Sequence, residues 1–189
     1  AIDNYKLNSK QVALACSSHT AEKFHIIELS NWLKKLRINR KNLKCGIHNP
    51  LHKKSSDKLL LSGIKPNQLH NNCAGKHLGM LSACKANKLS IKHYLDFDHL
   101  HQIEIKKTLE LFSENKLKKN NYGIDGCSAP QYALKIENIS VALRNLVKSY
   151  LSVFDNSNSV KILLNSILNN PMFIGGSNNL DSNIIKVSN

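Results

Sequence analysis

His70-Asn71-Asn72-Cys73-Ala74-Gly75-Lys76-His77 sets a cysteine, a lysine and two histidines directly before an apolar run, Leu78-Gly79-Met80-Leu81. The run predicts a helix from about residue 74 to residue 87, which puts the polar cluster at a helix N-terminus. Unpaired N–H groups and the dipole at such an end favour an anion and lower the pKa of a thiol held there, so Cys73 is a candidate thiolate. Lys76 and His77 follow it by three and four residues and project on its side of the first turn. Cys84 returns to nearly the same face but about 16 Å further along the axis, out of reach. Another ligand must come from elsewhere in the chain. The turn Gly123-Ile124-Asp125-Gly126-Cys127-Ser128-Ala129-Pro130 offers Cys127. Residue type alone ranks Cys73, His77 and Cys127 first as zinc ligands, because imidazole and thiolate are the usual ones and a charged amine is a poor one. The opposing reading buries the thiols as small hydrophobes.

Towards the N-terminus, residues 8–15 read as a short helix capped by Asn8 or Ser9, followed by a polar turn over 16–20. Thr20 resembles the N-cap of a long amphipathic helix over 21–36, where Phe24, Ile27, Leu29, Trp32, Leu33 and Leu36 recur at helical spacing. Asn39 caps a short turn, and residues 46–50 form a loop. His48 and His52 have i, i+4 spacing, but Pro50 between them disfavours helix, so they are not read as a chelating pair. Residues 55–62 form a helix stopped by Gly63 and Pro66. Towards the C-terminus come a helix over 100–113, a short strand over 132–134, helices over 139–150 and 158–168, and an irregular tail over 171–189 around Gly175-Gly176. The pattern is a helix-rich α/β (α+β) chain without repeats.

The 189 residues suit one domain with a real core. A net charge of +14 raises nucleic acid as a partner. Against it, the lysines are scattered, aromatics make up only 6%, and no aromatic-plus-basic repeat offers bases a stacking surface. A compositional bias towards Lys, Asn and Ile accounts for the charge, and no nucleic-acid partner is expected. Five cysteines, an odd number without small-scaffold spacing, point to a reducing compartment, the cytoplasm by default. No apolar run approaches the roughly 18 residues of a membrane span, and the N-terminus lacks a signal-peptide pattern, so no membrane partner is expected.

Six blocks in order carry a further signal: LACSSHTAEKFH (14–25), LKCGIHNPL (43–51), LHNNCAGKHLGML (69–81), YLDFDHLHQ (94–102), GIDGCSAPQYAL (123–134) and FIGGSNNLDS (173–182). Together they resemble the bacterial L-asparaginase II family of rhizobial type. The resemblance implies an amidohydrolase that converts L-asparagine to L-aspartate and ammonia on a glutaminase/serine-β-lactamase-like fold, working as a homodimer. It also implies a Ser-x-x-Lys pair, a second active-site serine and a further lysine. Carried over to this chain, Ser18 matches the second serine, and Cys73, Lys76 and Cys127 match the zinc ligands, so the resemblance replaces His77 by Lys76. His77 and Asp125 match positions lining the substrate pocket.

Ala21 stands where the family usually has Gly, and Ala74 where Ser is common. The family's RSxxKP and KxGAEG blocks have no counterpart in residues 1–189. The expectation is therefore a single incomplete domain, holding the metal half of a site, lacking the nucleophile half and inactive alone. Ser55, Ser62, Ser82 and Ser113 each precede a lysine by three residues, a cheap pattern in a chain this rich in both types. A glutaminase-type amidohydrolase and a non-catalytic zinc-binding remnant are the alternatives.

Overall fold

Asn8 caps the first substantial helix: its side chain accepts from the Gln11 N–H at 2.9 Å, while the Gln11 side chain accepts from the Asn8 N–H at 3.1 Å. The fold is known from a computed structural model that describes residues 1–152 and 158–188. A one-turn helix α1 (Ile2–Tyr5) precedes this capped helix, α2 (Ser9–Ala15), and α3 (Lys23–Leu36) follows. Helix α3 starts two residues later than the sequence suggests. Ala21 adopts a left-handed φ of 59°, incompatible with a helical start there, and the Thr20 hydroxyl turns to Glu22 instead of capping. Glu22 becomes the N-cap.

Helices α4 (Lys53–Leu61), α5 (Ala74–Ala86) and α6 (Leu100–Ser113) then appear close to their expected spans. Strands β1 (Tyr122–Ile124) and β2 (Pro130–Tyr132) pair antiparallel, Tyr122 opposite Tyr132, so that the Cys127 turn is the tip of a hairpin. The sequence pattern indicates one strand, at 132–134, and gives no sign of its partner. The chain continues through α7 (Ile136–Leu151) and α8 (Asn158–Asn169).

The tail is not irregular as expected. It forms α9 (Pro171–Gly175), with Pro171 at the first helical position, and α10 (Leu180–Val187). The break between them is Gly176, whose φ of 85° suits only glycine well and where a Cβ would run into the Thr20 hydroxyl. Asn189 lies outside the described residues. Among these residues the architecture is helix-rich with one small two-stranded sheet, and no helix is long and apolar enough to cross a membrane.

The core forms where α2, α3 and α5 meet, around Leu14, Leu29, Trp32, Leu36, Leu78 and Leu81. Each such side chain contributes roughly 1.5–3 kcal/mol on burial. Two features hold α5 in place. The Trp32 indole N–H donates to the Ser82 hydroxyl at 3.0 Å, and Gly75 lets the helix start press against α2, where a Cβ would collide with the Leu14 carbonyl. That close crossing brings the N-terminus of α5, and with it Cys73, beside the 16–20 turn. Cys84 is fully buried in this core.

Candidate metal centre and cleft

Cys73 is the N-cap residue of α5 and is held by its neighbours: its N–H donates to Asn71 Oδ1 at 2.9 Å, and Asn71 Nδ2 donates to the Cys45 carbonyl at 2.6 Å. Opposite stands the hairpin tip. There the Asp125 N–H donates to the Ala129 carbonyl at 2.9 Å and the Ser128 N–H to the Asp125 carbonyl at 2.8 Å, while Asp125 Oδ1 accepts from the Gly126 N–H at 2.7 Å. The Cys127 thiol donates to Asp125 Oδ2 at 3.2 Å, and Lys76 Nζ meets the same oxygen at 3.3 Å. The Cys73 sulfur, the Cys127 sulfur and an Asp125 oxygen lie within 4.8 Å of one another. Two distant stretches thus converge with Lys76 beside them.

The electrostatics differ from the expectation that the helix start ionises Cys73. Burial, followed by the neighbouring Cys127, pushes the Cys73 thiol up to about 11, and Lys76 only partly counters this. Burial opposes the charge on Lys76, but Cys127, Cys73 and Asp125 more than offset it and hold its pKa above the ordinary lysine value. Asp125 is held below the usual carboxylate range, first by the Cys127 thiol, then by the Gly126 N–H and Lys76. Two sulfurs and a carboxylate gathered in this way offer donors to a divalent cation, whose charge would ionise the sulfurs, whereas Lys76, held as an ammonium, would join them only on losing its proton. The Cys73, Asp125 and Cys127 cluster can hold a metal ion.

Ser18, expected from the sequence, lies on the same surface. An open cleft of about 440 Å³ is lined by Ser18, His48, Asn71, Asn72, Cys73, Asp125, Gly126 and Cys127. His77 stands behind this wall: it is fully buried, its Nδ1 meets the Tyr94 hydroxyl at 2.6 Å, and burial and then Lys76 lower its pKa to about 4. The neutral imidazole braces α5 against Tyr94.

None of the four serines of the Ser-x-x-Lys pattern lines the cleft. Ser55 and Ser62 border a separate apolar groove with Lys23 and Ile26. Ser82 and Ser113 are buried and bonded within their own helices to the Leu78 and Leu109 carbonyls.

Of the cleft residues that the sequence did not mark as functional, which are His48, Asn71, Asn72 and Gly126, Asn72 and His48 pair with each other and with Ser18's loop. Asn72 Nδ2 donates to Ser18 Oγ at 2.7 Å, and Asn72 Oδ1 lies 3.1 Å from His48 Nε2. Both fall within family-like blocks, at 69–81 and 43–51, but an asparagine next to a cysteine carries no spacing signal of its own. His52 turns instead to the Ser55 hydroxyl at 2.9 Å, so the two histidines serve different partners.

No curated protein matches the chain. A family model described as L-asparaginase II matches residues 1–189, the whole of the chain. On that match the chain belongs to the L-asparaginase II family.

Proposed function

We propose that the protein is an L-asparagine amidohydrolase in which this chain supplies a zinc centre and the second active-site serine, on a glutaminase/serine-β-lactamase-like frame. The observation that carries the reading is the convergence of Cys73, Asp125 and Cys127 with Ser18 on one open cleft, Lys76 standing against Asp125.

Cys73, Lys76 and Cys127 would hold the ion, with Lys76 giving up its proton to the solvent to coordinate as the neutral amine and Asp125 as the competing third donor. A zinc ion there would supply positive charge that ionises the two thiols and attracts the carboxylate end of an amino acid. Asp125 reaches the cleft and binds the substrate's α-ammonium. Ser18 hydrogen-bonds the reacting amide and passes protons. None of the four Ser-x-x-Lys serines lines the cleft, so this reading assigns acylation and release by water to none of these pairs.

The test is ammonia release from L-asparagine by the full-length protein. Ser18→Ala and Cys73→Ala should each remove most of the activity, and wild-type turnover in both would end the assignment. Zinc analysis of Lys76→Met and Asp125→Asn separates the candidate third ligands: loss of the ion in the first and retention in the second is the expected pattern.

A further inference from the structure

Asn72, on the cleft wall, joins three segments. Its carbonyl accepts from the His19 N–H at 3.2 Å, its own N–H donates to His48 Nε2 at 3.1 Å, and its Nδ2 donates to Ser18 Oγ at 2.7 Å. His48 Nδ1 meets the Asn49 carbonyl at 2.6 Å, which anchors the ring on its far side. These contacts tie the loop carrying Ser18 and the loop carrying His48 to the residue immediately before Cys73.

The direction of the bond to Ser18 has a chemical consequence. A serine hydroxyl has one proton and two acceptor sites, whereas an amide NH2 only donates. Because Asn72 donates to Ser18, one lone pair of the hydroxyl is occupied and its proton stays free. Ser18 is exposed on the cleft, so that proton is available to a group bound there. The reverse amide orientation would draw the serine proton onto Asn72 Oδ1 and away from the cleft.

We propose that Asn72 is the positioning residue of Ser18: its amide holds the hydroxyl as an acceptor and so presents the Ser18 proton to an amide-type substrate, while its N–H, donating to His48 Nε2, and its carbonyl, accepting from the His19 N–H, fix the backbone that carries that amide. The structural half of this statement stands by itself, and the catalytic half rests on the asparaginase reading.

Two measurements on the full-length protein test the halves separately. In 15N-labelled protein, Ser18→Ala should shift the Asn72 side-chain NH2 resonance and speed its proton exchange, and an unmoved resonance would overturn the pairing whether or not the protein hydrolyses asparagine. In ammonia-release kinetics, Asn72→Asp, which replaces the donor by an acceptor of the same shape, should lower kcat at least tenfold with little change in KM and no loss of zinc. In a Ser18→Ala background the same substitution should cost almost nothing. An equal loss in both backgrounds would overturn the positioning role. A shifted resonance in a protein inactive towards asparagine would uphold the pairing and refute the asparaginase reading.

Discussion

Helices α5 and α7 are comparable in length, yet they sit in the molecule in opposite ways. Helix α5 buries Ala74, Gly75, His77, Leu78, Met80, Leu81, Ser82 and Cys84, whereas α7 buries no residue fully and leaves Ile136, Leu143 and Leu151 at 83%, 59% and 72% exposure. Helix α7 is fastened by polar side chains at the end of α6: Asn145 Nδ2 donates to the Phe112 carbonyl at 2.9 Å, and Arg144 pairs with Glu114 at 3.1 Å. Helix α5 is fastened by close packing. Only one of the two has to place a side chain precisely. A residue that must meet a partner from a distant loop within a few ångströms is carried on the helix with the least freedom to shift.

Four substitutions probe that contrast. Gly75→Ala should have the largest effect on stability, because its methyl would enter the space of the Leu14 carbonyl, which is backbone and cannot step aside. A loss of about 3 kcal/mol is expected in urea unfolding. A value below about 1 kcal/mol would mean that α5 is free to slide and the contrast with α7 is false.

Glu22 comes next, since it joins the α3 start to the tail: the Ser177 N–H and hydroxyl donate to its two oxygens at 2.6 and 2.7 Å. Burial pushes its carboxyl up, but the two Ser177 bonds, the Thr20 hydroxyl and His52 outweigh this and leave it below the ordinary glutamate value. A depressed native pKa stabilises at neutral pH, and that contribution disappears as pH falls through the ordinary carboxyl range and then the native value. Glu22→Gln should therefore cost about 2 kcal/mol at pH 7 and much less at pH 3, as charge-assisted bonds to a buried carboxylate are lost. Unfolding at both pH values checks it, and a pH-independent difference would contradict the ionised carboxylate.

The α5 segment is the most legible part of the chain. Its start, its end and the side from which Cys73 and Lys76 project all follow from one polar-to-apolar switch over residues 70–81. The meeting of Cys73 with Cys127 follows only from residue type and family resemblance, because nothing local encodes where a hairpin tip lands. Strand β1 escapes notice because Tyr122-Gly123-Ile124 is too short to display alternation. Helix α10 is hidden by the neighbouring Gly-Gly-Ser-Asn-Asn run, which reads as loop. The ionisation of Cys73 departs from expectation for a physical reason: burial and a second thiol outweigh a helix dipole. Asn72 is invisible because its importance lies in which way its amide faces.

Ala21→Gly should have a smaller effect, and in the opposite direction. An alanine at a φ of 59° is strained, and glycine removes the strain at the cost of a freer unfolded chain. A net gain of about 0.5–1 kcal/mol is expected, measurable as a raised Tm. Leu143→Ser on the open face of α7 should be smallest, within about 0.5 kcal/mol. A large loss there would show that this face is covered in solution and that α7 is not the loose partner of the pair.

The central claim is that sulfurs from α5 and from the hairpin tip share one ion. X-ray absorption at the zinc edge of the zinc-loaded protein measures this directly. Shared ligation predicts two sulfur neighbours at about 2.3 Å, falling to one or to no bound zinc in Cys127→Ala. A spectrum without sulfur, or one that Cys127→Ala leaves unchanged, would contradict it.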